Sequence, residues 1–166
     1  MRKLYLSGVA IFFATMNYAA AEATWEYSEI KDEFTDKTHH VALIKNTSTS
    51  SPNNFRAGFE CRNGRDFVFT IDANEYLGGR NQPFKVRYRV DNKRAKTIKM
   101  RTFSNSETGG MNSFSAIDIA NDFLNAKRMR LRTVAINGDR YDTELPMANS
   151  REAILKAVEA CKLNVQ

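Results

Sequence analysis

Two cysteines, two histidines and several runs of alternating basic residues carry most of the chemical potential of this 166-residue sequence. Cys61 and Cys161 offer three chemistries: a thiolate nucleophile, a metal site or a disulfide. The first two call for suitably placed histidines, and the sequence has only His39 and His40. These are neighbours in the strand-like run HHVALIK, where successive side chains point to opposite faces, so local spacing cannot bring both onto one substrate or one ion. No serine sits in a nucleophile elbow, and no acid is identifiable as the orienting partner of a histidine base. Gly78-Gly79 and Gly109-Gly110 lack the strand and helix context of a phosphate-binding loop and read as turns. The sequence thus predicts no catalytic residue, no metal ligand and no cofactor. An envelope hydrolase using His39 or His40 is the weakest functional reading.

The basic residues are more distinctive. Lys85, Arg87 and Arg89 alternate along FKVRYRV, Lys99 and Arg101 along IKMR, and Arg128, Arg130 and Arg132 along RMRLR. With the first two runs folded as a hairpin at Asp91-Asn92, their cations share a face. Like charges opposite each other on paired strands are unfavourable by roughly 0.2 to 1 kcal/mol per pair, so such a face needs compensation. Compensation comes either from an anionic partner, meaning lipid phosphate, glycan carboxylate or an acidic protein, or from neighbouring Glu60, Asp66, Asp72, Glu75 and Glu144 on an ordinary solvated surface.

The amino terminus narrows the choice of partner. Arg2 and Lys3, an apolar stretch from Leu4 to Thr15 and the run Ala19-Ala20-Ala21 have the layout of a secretory leader cut after Ala21. The apolar stretch falls short of the roughly 20 residues that span a bilayer, so no transmembrane span is expected after cleavage. Removing 21 of 166 residues leaves 145, enough for one core, and a single exported domain over 22–166 follows. The full chain has 25 Lys and Arg against 19 Asp and Glu; loss of Arg2 and Lys3 lowers the formal charge from +6 to +4. Export sets nucleic acid aside and leaves periplasmic or secreted partners: an envelope protein, or an anionic lipid or glycan of the envelope. An exported chain with two cysteines normally pairs them, here across 100 residues.

The elements that position these groups can be read from periodicity. TWEYSEIKDE and HHVALIK read as two strands, NTSTSSPNNF as a loop. FRAGFECR and RDFVFTID alternate cleanly around Asn63-Gly64, the pair that a type I′ hairpin turn prefers. Phe55, Ala57, Phe59 and Cys61 then share a face with Phe67, Phe69 and Ile71, while Arg56, Glu60 and Arg62 lie opposite Asp66 and Asp72. After the basic hairpin, SNSETGGMNS reads as loop. A helix capped by Ser115, with Asp118 reaching back, carries Ala116, Ile119, Ala120, Phe123 and Leu124 on one stripe. RMRLRTVAI and RYDTELPM form the last strand pair around Asn137-Gly138. The closing helix, capped by Asn149 with Glu152, puts Ile154, Ala157, Val158 and Cys161 on one face. Cys161 is therefore aimed at the sheet face that holds Cys61. Trp25, Tyr27 and the phenylalanines read as core, with a lipid pocket as the alternative. The whole is α+β: about eight strands in a largely antiparallel sheet, with two helices on one side and one disulfide.

Trp25 with Asp32-x-Phe34-Thr35, the strand ending in Cys61, VRYRVD from Val86 to Asp91, DFLNAKRMRLR from Asp122 to Arg132 and the closing helix with Cys161 form an ordered set of landmarks. Together they resemble the type VI secretion system-associated TagO/VasI family of periplasmic proteins. The resemblance implies an exported, non-enzymatic accessory of a cell-envelope machine that works by protein binding. It departs at Ile98–Phe103, where the chain has the basic IKMRTF in place of a segment that often contains tryptophan. An inhibitor or immunity-type protein, inserting a loop such as 46–54 into the cleft of a target enzyme, is the competing expectation.

Overall fold

The computed structural model describes residues 23–45, 55–111 and 113–165; the segments read from the sequence as a leader (1–21) and as a loop (46–54) lie outside the described residues. Nine strands and two helices occur among them: β1 (Glu26–Lys31), β2 (Thr38–Lys45), β3 (Arg56–Arg62), β4 (Asp66–Asp72), β5 (Pro83–Val90), β6 (Lys96–Thr102), β7 (Thr108–Met111), α1 (Ser113–Phe123), β8 (Arg128–Val134), β9 (Arg140–Pro146) and α2 (Ser150–Ala160). All strands belong to one sheet, ordered β1-β2-β3-β4-β7-β6-β5-β8-β9. Every neighbouring pair is antiparallel. The α+β class, the antiparallel sheet with its helices on one side and the disulfide are as expected, with one strand more.

The β3–β4 hairpin follows directly from its residues. Asn63 (φ 55°) and Gly64 (φ 65°) supply the two positive φ angles of the turn. The resulting register sets Phe59 opposite Phe69 and Cys61 opposite Phe67, all buried. On this inner face α1 packs over β4 and α2 over β1, β2 and β3. Cys161, at the end of α2, is bonded to Cys61 with their Cα atoms 5.5 Å apart. The disulfide therefore ties the last helix to the centre of the sheet.

Phe123 of α1 explains the sheet's curvature. Its ring meets those of Trp25, Phe59, Phe69 and Tyr88 at centroid distances of 6.2, 5.7, 5.8 and 5.8 Å, all edge-on. These four rings come from the residue before β1 and from β3, β4 and β5, so the sheet must curl around the helix to bring them together. Backbone at the two ends of the sheet meets as well: the Trp25 N–H donates to the Ala148 carbonyl at 3.0 Å. Trp25, Phe55, Phe59, Phe67 and Phe69 are buried in the core, and Tyr27 packs half-buried against it.

Three local expectations are corrected. Gly109 and Gly110 are not a turn but the middle of β7, wedged between β4 and β6. Glycine is required there because a Cβ on Gly109 would collide with the Phe84 ring, and one on Gly110 would lie 2.6 Å from the Phe103 ring. Second, α1 begins at Ser113, so Ser115 lies inside its first turn and is not its cap. Third, Asn149 is left-handed (φ 61°) and makes no capping bond from its side chain. Glu152 pairs with Lys156 at 2.8 Å instead, and the buried Ser150 hydroxyl donates to the Phe123 carbonyl, tying α2 to the end of α1.

Candidate functional site

Alternation on β5 is strict: Phe84, Val86, Tyr88 and Val90 are buried, and Lys85, Arg87 and Arg89 exposed. Because β5 lies between β6 and β8, its cations meet cations on both sides. Lys85 is opposite Lys99 on β6, while Arg87 and Arg89 are opposite Arg132 and Arg130 on β8. The Thr102 N–H donates to the Gln82 carbonyl, and that of Phe103 to Thr108. Even-numbered residues of β6 thus bond toward β5 and odd-numbered ones toward β7. Lys85 and Lys99 consequently form a non-hydrogen-bonded pair, the kind in which facing side chains come closest.

The outermost strand neutralises one side of this face. Arg130 Nε donates to Glu144 at 2.8 Å, and Arg132 clasps Asp142 through Nε and Nη2 at 2.6 and 2.5 Å. Arg128 Nη1 lies 3.8 Å from Glu144. The Arg132 hydrogen bonds hold the Asp142 carboxyl below its usual range. Of the acids expected to neutralise the face, Glu144 does so. Glu60 is occupied by Arg62 and His39 on β3 and β2, and Asp142 was not anticipated, although Arg140, Asp142 and Glu144 alternate along β9 in the sequence.

On the outer face of β5 and β6 the cations remain open among the described residues. Arg101 donates to the Asn81 carbonyl at 2.9 Å and Arg89 to the Asn92 carbonyl at 3.4 Å, neutral acceptors that leave both charges uncompensated. Lys85, Arg87 and Lys99 have no ion-pair partner among the described residues. A shallow cleft of about 480 Å³ runs over β8 between β5 and β9, lined by Arg87, Arg89, Arg130, Arg132, Asp142 and Glu144. The five residues read from the sequence as an anion-binding face are thus brought onto one surface, with Arg130 and Arg132 as a neutralised border.

The histidines fall on opposite faces. His39 Nδ1 lies 2.8 Å from Glu60, whose other oxygen accepts from Arg62 at 2.6 Å. Burial alone would raise the Glu60 carboxyl, but Arg62 and His39 overturn this and hold it low. The Arg62 guanidinium also lies over the Phe103 ring, 5.7 Å from its centroid. His40 Nδ1 lies 2.8 Å from the Tyr27 hydroxyl on the other face. The two clusters share no residue, and among the described residues no three His, Cys, Asp or Glu side chains are grouped to hold a metal ion.

A second concavity opens between β6 and α1. Asp122 there accepts from the Tyr88 hydroxyl at 2.7 Å and from Lys96 at 2.6 Å. Burial, then the bond to Asp122, pushes the Tyr88 phenol far above its usual range. No helix among the described residues is long and apolar enough to cross a membrane.

No family model matches the chain, and no curated protein matches it. Among solved structures, invasion associated protein B from Bartonella henselae superposes with a TM-score of 0.56 over 86% of this chain and 97% of that one, at 7% sequence identity. The likeness is one of fold. The class defined by fold and surface is a curled antiparallel sheet stapled to its closing helix, with an open basic outer face.

Proposed function

We propose that the protein is an exported, non-enzymatic binding protein of the bacterial envelope whose β5–β6 face holds an anionic partner. One observation carries the reading: Arg130 and Arg132 on β8 lie opposite Glu144 and Asp142 on β9 and pair with them, whereas Lys85, Arg87 and Lys99 have no ion-pair partner among the described residues. A surface under no demand would be expected to shed such repulsion. The separated histidine clusters favour binding over hydrolysis. The resemblance of its landmarks to the type VI secretion-associated TagO/VasI family suggests service as an accessory of an envelope machine, delivered to the periplasm by a leader at 1–21.

The test compares the native protein with Lys85→Glu/Arg87→Glu/Lys99→Glu in capture from a solubilised envelope extract. A component retained by the native protein and lost by the variant supports the face. Protease treatment of the extract and organic extraction then separate protein, lipid and glycan. Equal retention by both proteins removes the proposal.

A second reading is favoured by Phe34, which is 99% exposed at the tip of the β1–β2 hairpin. Its N–H and that of Thr35 are held by the Asp32 carboxylate at 2.8 and 3.1 Å, so the ring stands on a braced turn. An inhibitor inserting this tip into a target's cleft would lose inhibition with Phe34→Ala while keeping its stability.

A further inference from the structure

The β6 strand is paired along its whole length on one side only. Its ladder with β5 runs from Arg101 to Lys96, but that with β7 covers only Arg101 and Thr102, because the chain leaves β7 after Met111 to start α1. The odd-numbered residues of β6 bond away from β5, as Phe103 does to Thr108. The backbone groups of Thr97 and Lys99 therefore face the slot that β7 vacates, without a strand beside them among the described residues. Across this slot stands α1, and between the two lies a groove of about 820 Å³ whose walls include Thr97, Ile98, Lys99, Ser115, Asp118 and Ile119.

We infer that this groove takes an extended segment of a partner protein as an added strand on β6. Unpaired strand edges recruit peptides through their backbone groups, while pockets for alternate side chains set the sequence preference. Inward side chains of such a segment would meet half-buried Ile98 and Met111 and buried Ile119. Its outward side chains would rise beside Lys99, onto the face that also bears Lys85 and Arg87. The groove selects a peptide that alternates apolar and acidic residues. Lysines on an edge can also serve to repel other strands. Lys96 is not in that role, since its ammonium is folded onto Asp122, which leaves Lys99 as a charge to be met. The inference shares Lys99 with the proposed basic face but rests on the strand edge.

The probe is a hexapeptide of alternating valine and glutamate with blocked ends, added to the purified protein with its disulfide formed. Binding is read by fluorescence anisotropy and by amide hydrogen exchange. The peptide is expected to slow exchange at Thr97 and Lys99 by about tenfold or more. Analogues N-methylated at alternate residues, in either register, are expected to bind about tenfold or more weakly because they cannot complete the ladder. Thr97→Pro removes an N–H that faces the slot and is expected to abolish binding; should it fail to fold, the N-methylated analogues decide on the native protein. The N-methylated analogues test the strand edge on the native protein, whereas charge reversal at Lys85, Arg87 and Lys99 tests the basic face, so failure here and failure of the basic face give different results. Equal binding of the N-methylated peptides, equal binding of a valine–lysine peptide, or protection confined to other strands overturns the inference. Self-association that protects Thr97 and Lys99 without peptide overturns it too, in favour of a second copy.

Discussion

Lys85→Glu is expected to make the fold more stable while weakening its hold on an anionic partner. Lys85 and Lys99 face each other as a non-hydrogen-bonded pair, with Arg101 one diagonal step away. Replacing one ammonium removes a like-charge pair and creates an opposite-charge pair, each worth about 0.2 to 1 kcal/mol, so the gain is about 0.4 to 2 kcal/mol. For a domain of this size each kcal/mol corresponds to about 2 to 4 °C in Tm. Trp25 is the only tryptophan and is 2% exposed against Phe59 and Phe123, so its fluorescence reports global unfolding in urea. The midpoint of the variant should rise in low salt, and the difference should shrink near 1 M salt, where the screening length falls to about 3 Å. A midpoint that falls, or a rise that ignores salt, would refute the claim that the face is electrostatically strained.

Two further outcomes follow from the same geometry. Cys61→Ala/Cys161→Ala releases a closure of 100 residues, for which the chain-entropy model gives up to about 4.7 kcal/mol; a urea midpoint matching that of the native protein would remove the disulfide from the account of stability. Glu60, whose carboxyl is held low by Arg62 and His39 against the effect of burial, contributes stability above its unfolded pKa that is lost as pH falls through its lower folded value. Glu60→Gln should therefore be less stable than the native protein at pH 7, with the gap closing below about pH 4.5; a gap constant with pH would contradict this.

Features written in local alternation were legible in the sequence. Asn63-Gly64 fixed a hairpin register, and the alternation of Phe55, Ala57, Phe59 and Cys61, together with the helical stripe of Ile154, Ala157, Val158 and Cys161, pointed both cysteines to one interior. The basic face was legible for the same reason. Features set by distant partners were not. Gly109 and Gly110 have no side chains to alternate, and their place in β7 is dictated by the rings of Phe84 and Phe103 packed where Cβ atoms would be. Asn149 has the composition of a cap, but the chain arriving from β9 places it in a left-handed conformation, where its side chain makes no cap bond. Phe123 looked like one apolar position in a helical stripe; only the curled sheet makes it the contact point of four rings. Strand order decided the rest, since nothing local told that β8 would lie beside β5 and set Arg132 and Arg130 opposite Arg87 and Arg89.

The most direct test of the central claim is a charge-matched comparison. Lys85→Glu/Arg87→Glu/Lys99→Glu and a control, Lys37→Glu/Arg65→Glu/Lys162→Glu, alter net charge equally, but the control changes exposed residues away from the β5–β6 face. Retention of the native protein and both variants on a bacterial envelope fraction is measured across a salt series. The account predicts that the β5–β6 variant loses retention and its salt dependence while the control keeps both. Equal losses in the two variants would show that net charge, and not this face, governs binding.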